Sequence, residues 1–139
     1  MGQPIMTEYR VTARRIDSRG GLALAKEAEL VLDTALAGRR DAMNPVELLL
    51  AALAACLLKG IERVTPLLGF ILDGATVDLE AVRKDAPPKL ILIRYLIAVD
   101  SPETDQRLGL LHRNILKYGT FSNTLAGDVP LEGRLIRRA

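Results

Sequence analysis

Asn44-Pro45-Val46-Glu47-Leu48-Leu49-Leu50-Ala51-Ala52-Leu53-Ala54-Ala55-Cys56-Leu57-Leu58 is the stretch on which the reading of this chain turns. Asn44 is a favoured helix N-cap and Pro45 suits the first helical position. Glu47 stands three residues after the cap, where its carboxylate can accept the cap's own N–H. The residues that follow are apolar on nearly every side, so the helix is expected to be enclosed all round. It is expected to span 44–66, ending where Pro66 and then Gly69 interrupt the pattern. Cys56, the only cysteine, lies in the middle of this helix. A thiol among Ala and Leu is by default a small hydrophobe whose burial disfavours the thiolate, so Cys56 is either packing or chemistry.

Outward from the helix the pattern changes to a period of two. Tyr9, Val11 and Ala13 alternate with Arg10, Thr12 and Arg14 as in a half-buried strand. Ser18-Arg19-Gly20-Gly21 makes a turn, and 22–25 and 28–33 read as one or two further strands of an antiparallel meander leading to a loop at 38–43. After the helix, 75–84 alternates and Asp85-Ala86-Pro87-Pro88 turns the chain. Residues 90–99 are then apolar on both faces apart from Arg94, as expected of a central strand covered on both sides. Ser101-Pro102 reads as the cap of a second helix, with Leu108, Leu111, Ile115 and Leu116 at helical spacing as far as Lys117 and Gly119 as its stop. A weak alternation over 129–137 reads as a last strand. The order is that of an α+β fold in one domain over 1–139: strands and loop at 1–43, central helix at 44–66, and strands, second helix and last strand at 69–139.

Composition narrows the classes of function. The longest apolar run, 48–58, is too short to span a bilayer, and neither a secretory signal nor a myristoylation pattern stands at the start, so no membrane association is expected. One cysteine excludes an internal disulfide framework, and a reducing cytoplasm is the natural compartment. With 19 basic and 17 acidic residues interspersed, two Phe, three Tyr and no Trp, the chain offers neither a basic face nor stacking platforms, and nucleic acid is not an expected partner.

The segment 44–56 resembles the signature of the OsmC/Ohr family, proteins related to osmotically inducible protein C and organic hydroperoxide resistance protein. Asp33 and Gly38 ahead of it agree, and Lys117-Tyr118-Gly119-Thr120-Phe121-Ser122-Asn123-Thr124-Leu125 is similar to the family's second signature. The resemblance implies an OsmC-like fold of antiparallel sheets around two central helices, in an intertwined homodimer with sites at the interface. It also implies a role in the oxidative stress response. In the peroxidatic members a helix cysteine, here Cys56, attacks a hydroperoxide and forms a sulfenic acid that condenses with a second cysteine. That second position falls at Gly119, so turnover would need an external thiol reductant.

The family's Glu falls at Val46, and Glu47, nine residues before Cys56, points to the opposite helix face. For the family's Arg, Arg19 is the best match, with Arg14, Arg15, Arg39 and Arg40 nearby. Lys59 and Arg63 lie on about the same helix face as Cys56. Two readings follow. The first is a one-cysteine, thiol-dependent organic hydroperoxide reductase with Cys56 as nucleophile and Arg19 as helper. The second is a non-enzymatic binding protein for a small hydrophobic ligand at the dimer interface. No cofactor and no metal are expected, since one His and one Cys do not make a site. His112 shares a helix face with Leu108, Leu111 and Ile115 and reads as a partly buried interface residue. Ser122 and Thr124 read as turn caps, and Arg39-Arg40 as a solvated loop.

Overall fold

The alternation ahead of the helix becomes, in a computed structural model that describes residues 4–138, a three-stranded antiparallel sheet. Its strands are β1 (Thr12–Asp17), β2 (Gly20–Ala25) and β3 (Ala28–Asp33), paired Thr12 to Leu24 and Leu24 to Glu29. The first strand starts three residues later than the alternation at Tyr9 implied. β2 ends at Ala25 and the chain turns at Lys26 (φ 56°), and the paired register stops at Thr12 and Leu24. Asp33, buried at the end of β3, accepts the N–H of Ala35 at 3.0 Å and of Arg39 at 3.1 Å and so folds the following loop onto itself.

The chain forms two compact units, Met1–Leu48 and Leu49–Ala139, and helix α1 (Pro45–Leu68) begins in the first and continues in the second. Its start is the expected capping box. Asn44 N–H donates to Glu47 Oε1 and Glu47 N–H donates to Asn44 Oδ1, each at 2.9 Å. Its end lies beyond the expected 66. Pro66 sits in the last turn, where its missing N–H costs a single helical bond, and the helix stops instead at Gly69 (φ 58°). Nor is α1 enclosed all round. Leu53, Leu57, Gly60, Ile61 and Val64 form its one buried stripe, whereas Leu58 is 41% exposed and Ala55 is exposed.

The second unit is built on strands β4 (Gly74–Asp85), β5 (Pro88–Asp100) and β6 (Leu131–Arg137), with β5 in the centre. β4 pairs antiparallel with β5, but β6 pairs parallel, so this sheet is mixed and not wholly antiparallel as expected. Between β5 and β6 run α2 (Asp105–Lys117) and α3 (Thr120–Leu125); α3 was not foreseen. The cap of α2 is Thr104, whose hydroxyl accepts Arg107 N–H at 3.3 Å. Ser101, the expected cap, stands ahead of the helix, where its hydroxyl accepts Glu103 N–H at 3.1 Å and donates to Ile71 O at 2.6 Å.

The core joins Leu53, Leu57, Ile61 and Val64 of α1, Ile93, Tyr95, Ile97 and Val99 of β5, and Leu108, Leu111 and Ile115 of α2. Both helices therefore cover one face of the sheet. The other face of β5, expected to be covered too, carries half-buried Leu92, Leu96 and Ala98 beside exposed Arg94.

Candidate functional site

In the second unit Cys56 is partly exposed and follows Leu53 and precedes Leu57, which are 1% and 2% exposed. One turn further on, α1 meets α2 closely: a Cβ on Gly60 would lie 3.1 Å from Ile115 Cγ2. Lys59 and Arg63, on about the same helix face as Cys56, are both exposed. Arg63 reaches across to donate from Nη1 to Tyr118 O at 3.2 Å, which ties the helix to the residue just before Gly119.

At Gly119 itself the backbone has closed. The residue is buried, and a Cβ there would lie 2.6 Å from Ser122 Oγ and 2.9 Å from the carbonyl oxygen of Ile115. Its φ and ψ of −82° and 122° are open to any residue, so glycine is required here for its missing side chain and not for its backbone. The Ser122 hydroxyl fills the place. It donates toward Leu116 O at 2.7 Å and Gly119 O at 3.0 Å, while Thr124 Oγ1 donates to Thr120 O at 2.7 Å. The Ser122 hydroxyl is thus spent on the backbone of the α2–α3 joint and that of Thr124 on the backbone of α3 itself.

In the first unit Arg19 lies exposed in the turn between β1 and β2, its N–H donating to Asp17 Oδ1 at 2.8 Å. Arg14 and Arg15 line a groove of about 410 Å³ with Ala13, Asp17 and Leu32. Arg39 is not solvated as expected. Its guanidinium makes a bidentate pair with Asp41, at 2.6 and 2.8 Å, and lies against Gly20, where a Cβ would be 2.6 Å from Nη1. The Arg39 hydrogen bond holds the Asp41 carboxyl down at about 2. The Arg-x-Asp spacing at 39 and 41 was the sequence signal for this pair. Cys56 and Arg19 belong to different compact units.

Glu47, the carboxylate nearest in sequence to the family's Glu position, is engaged in the α1 cap. His112, half-buried on α2, is paired with Tyr95 of β5: the Tyr95 hydroxyl lies 2.6 Å from His112 Nε2. Sequence periodicity had singled out His112 without its partner. Among the described residues no group of three or more His, Cys, Asp or Glu is placed to hold a metal ion, and no helix is long and apolar enough to cross a membrane.

Residues 38–133 match the family model described as OsmC-like protein. The chain belongs to the OsmC-like family. The matched region carries Cys56 and Gly119 but not Arg19. The OsmC-like fold is shared with the crystal structure of an OsmC-like protein from Mycoplasma pneumoniae, at a TM-score of 0.87 and 19% identity over 97% of this chain and 100% of that one. The organic hydroperoxide resistance protein OhrB of Bacillus subtilis superposes at a TM-score of 0.70 with 18% identity over 93% and 98%. An OsmC-like protein of unknown function from Vibrio cholerae does so at 0.79 with 13% identity over 94% and 100%. At such identities the likeness is one of fold. No curated protein matches the sequence.

Proposed function

We propose that this OsmC-like protein is a one-cysteine thiol peroxidase that reduces organic hydroperoxides in the oxidative stress response. The observation that carries the reading is Cys56, partly exposed on α1 inside the segment that matches the family. The Cys56 thiolate attacks the outer oxygen of the peroxide and the O–O bond breaks. The alkoxide leaves and takes a proton from solvent, and the sulfur, oxidised by two electrons, becomes a sulfenic acid. An external thiol then condenses with it, releasing water and forming a mixed disulfide; a second external thiol frees Cys56 and leaves as the oxidised reductant. Arg19 is the guanidinium assigned to support the thiolate. Assembly as a homodimer is part of the proposal, supported by exposed Leu58 and by half-buried Ala51, Ala52 and Ala54 on α1.

The test is stopped-flow reaction of the reduced chain with cumene hydroperoxide, followed by capture of the sulfenic acid with dimedone. Reaction much faster than that of free cysteine, abolished by Cys56→Ser in a folded protein, is expected. A rate no higher than that of free cysteine sinks the proposal. One observation favours the second reading, a binder of a small hydrophobic ligand: Glu47 is held by the cap and Val46 stands at the family's Glu position. A Cys56→Ser variant that keeps the cellular phenotype would favour it.

A further inference from the structure

Among the described residues, no carboxylate is placed to balance the only histidine of the chain. His112 accepts or shares a 2.6 Å hydrogen bond with Tyr95, and the two rings meet edge to face, 5.7 Å apart at 79°. On its own helix face the neighbours three and four residues away are Leu108, Gly109, Ile115 and Leu116. On β5 the partner is Tyr95 itself. On β6, Tyr95 is paired with Gly133, so Glu132 and Arg134 point to the other face of the sheet. On β4, Asp78 and Glu80 are paired with Leu96 and Arg94, again on that other face. The α1 stripe that packs here is Leu53, Leu57, Gly60, Ile61 and Val64, and α3 has no charged residue. Arg113, beside His112 in sequence, is the charge that acts on it, and its sign is the same as that of an imidazolium.

The Tyr95 ring also covers Gly133, where no Cβ would fit, so ring, hydroxyl and imidazole together join α2 to both β5 and β6. We propose that the Tyr95–His112 pair is an acid-released fastener that holds α2 against the β5–β6 edge of the sheet. With the imidazole neutral, Nε2 accepts a hydrogen bond from the Tyr95 hydroxyl. Protonation places a cation in a half-buried, apolar setting with no anion among the described residues facing it, a cost that opening of α2 and β6 relieves. Burial first, and Arg113 second, hold His112 below the ordinary histidine range. The pair therefore contributes its full stability above about pH 6.5 and loses it as the pH falls through the lower folded value.

Because the chain has a single histidine, its imidazole C–H signal in an NMR titration is unambiguous. In the full chain the midpoint is expected below about 6.5. Hydrogen exchange, compared at about pH 7.5 and about pH 5 after correction for intrinsic rates, should show 105–117 and 131–137 opening about tenfold more for each unit of that depression, while β4 holds. His112→Gln should keep its protection at both pH values. The proposal is overturned by a midpoint at or above the ordinary value, by β6 protection that merely follows β4, or by a His112→Gln protein as acid-sensitive as the parent. Should that variant not fold, Tyr95→Phe keeps the ring over Gly133 and deletes the hydroxyl alone. It is then expected to loosen α2 and β6 already at about pH 7.5, and unchanged protection there overturns the proposal.

Discussion

Adding one methyl group at Gly119 tests whether the second signature has been closed by packing. At φ −82° and ψ 122° an alanine meets no backbone strain, and in open space it would stabilise the chain by roughly 0.4–1 kcal/mol by restricting the unfolded state. Here the new Cβ would stand 2.6 Å from Ser122 Oγ and 2.9 Å from Ile115 O. The Ser122 side chain can rotate away, but doing so breaks its single donated hydrogen bond, shared between Leu116 O and Gly119 O and worth about 1 kcal/mol net. The Ile115 carbonyl belongs to α2 and can retreat only with the helix, an overpacking cost of about 1–3 kcal/mol. The sum is a net loss of about 1–3 kcal/mol for Gly119→Ala. In urea the midpoint should fall with an unchanged slope. Ser122→Ala added to it should be non-additive, since both residues compete for one space. A Gly119→Ala protein as stable as the parent, or more so, refutes the reasoning.

Three more outcomes are expected. Gly133→Ala should displace the Tyr95 ring, break its bond to His112 and cost about 1–3 kcal/mol in urea unfolding, with the larger loss at the higher pH where the bond is intact. Glu47→Ala should destabilise the chain by about 1 kcal/mol through the lost cap. Glu47→Gln should nearly keep it, and both should leave the rate of Cys56 with peroxide unchanged; a large rate loss in either would show that Glu47 serves the thiol. The Arg39 pair keeps Asp41 ionised down to about 2, so the stability it contributes is present above the ordinary carboxylate range and is lost as pH falls toward 2. Asp41→Asn should flatten that part of an acid-unfolding curve, and an unaltered curve would count against the pair.

Local chemistry was the part of the fold that sequence made legible. Asn44, Pro45 and Glu47 announce the start of α1 because a capping box is built from residues three apart. Its end was misplaced because Pro66 falls in the final turn, where a proline costs little. The partners of β5 were invisible for a different reason: whether β6 runs parallel depends on where α2 and α3 return the chain. Likewise Ser101 resembles a cap, yet the N–H its hydroxyl accepts is that of Glu103, ahead of α2, while it donates to Ile71 O 30 positions away. At the candidate site Cys56 and Gly119 could be located by motif. The closure of Gly119 by Ser122, the engagement of Glu47 and the partner of His112 are three-dimensional facts with no one-letter signature. The placing of Arg19 in a turn was readable from Ser18 and the Gly20-Gly21 pair.

The parallel pairing of β6 also orders events in time. β5 carries more large apolar side chains than any other described strand, and until 131–137 arrive it has a neighbour on one side only. A nascent or clipped chain that stops short of Leu131 would present that open, hydrophobic edge to other copies of itself, the geometry from which intermolecular sheets grow. The last seven-residue strand, mostly exposed and remote from the thiol in sequence, is in this sense the chain's guard against aggregation.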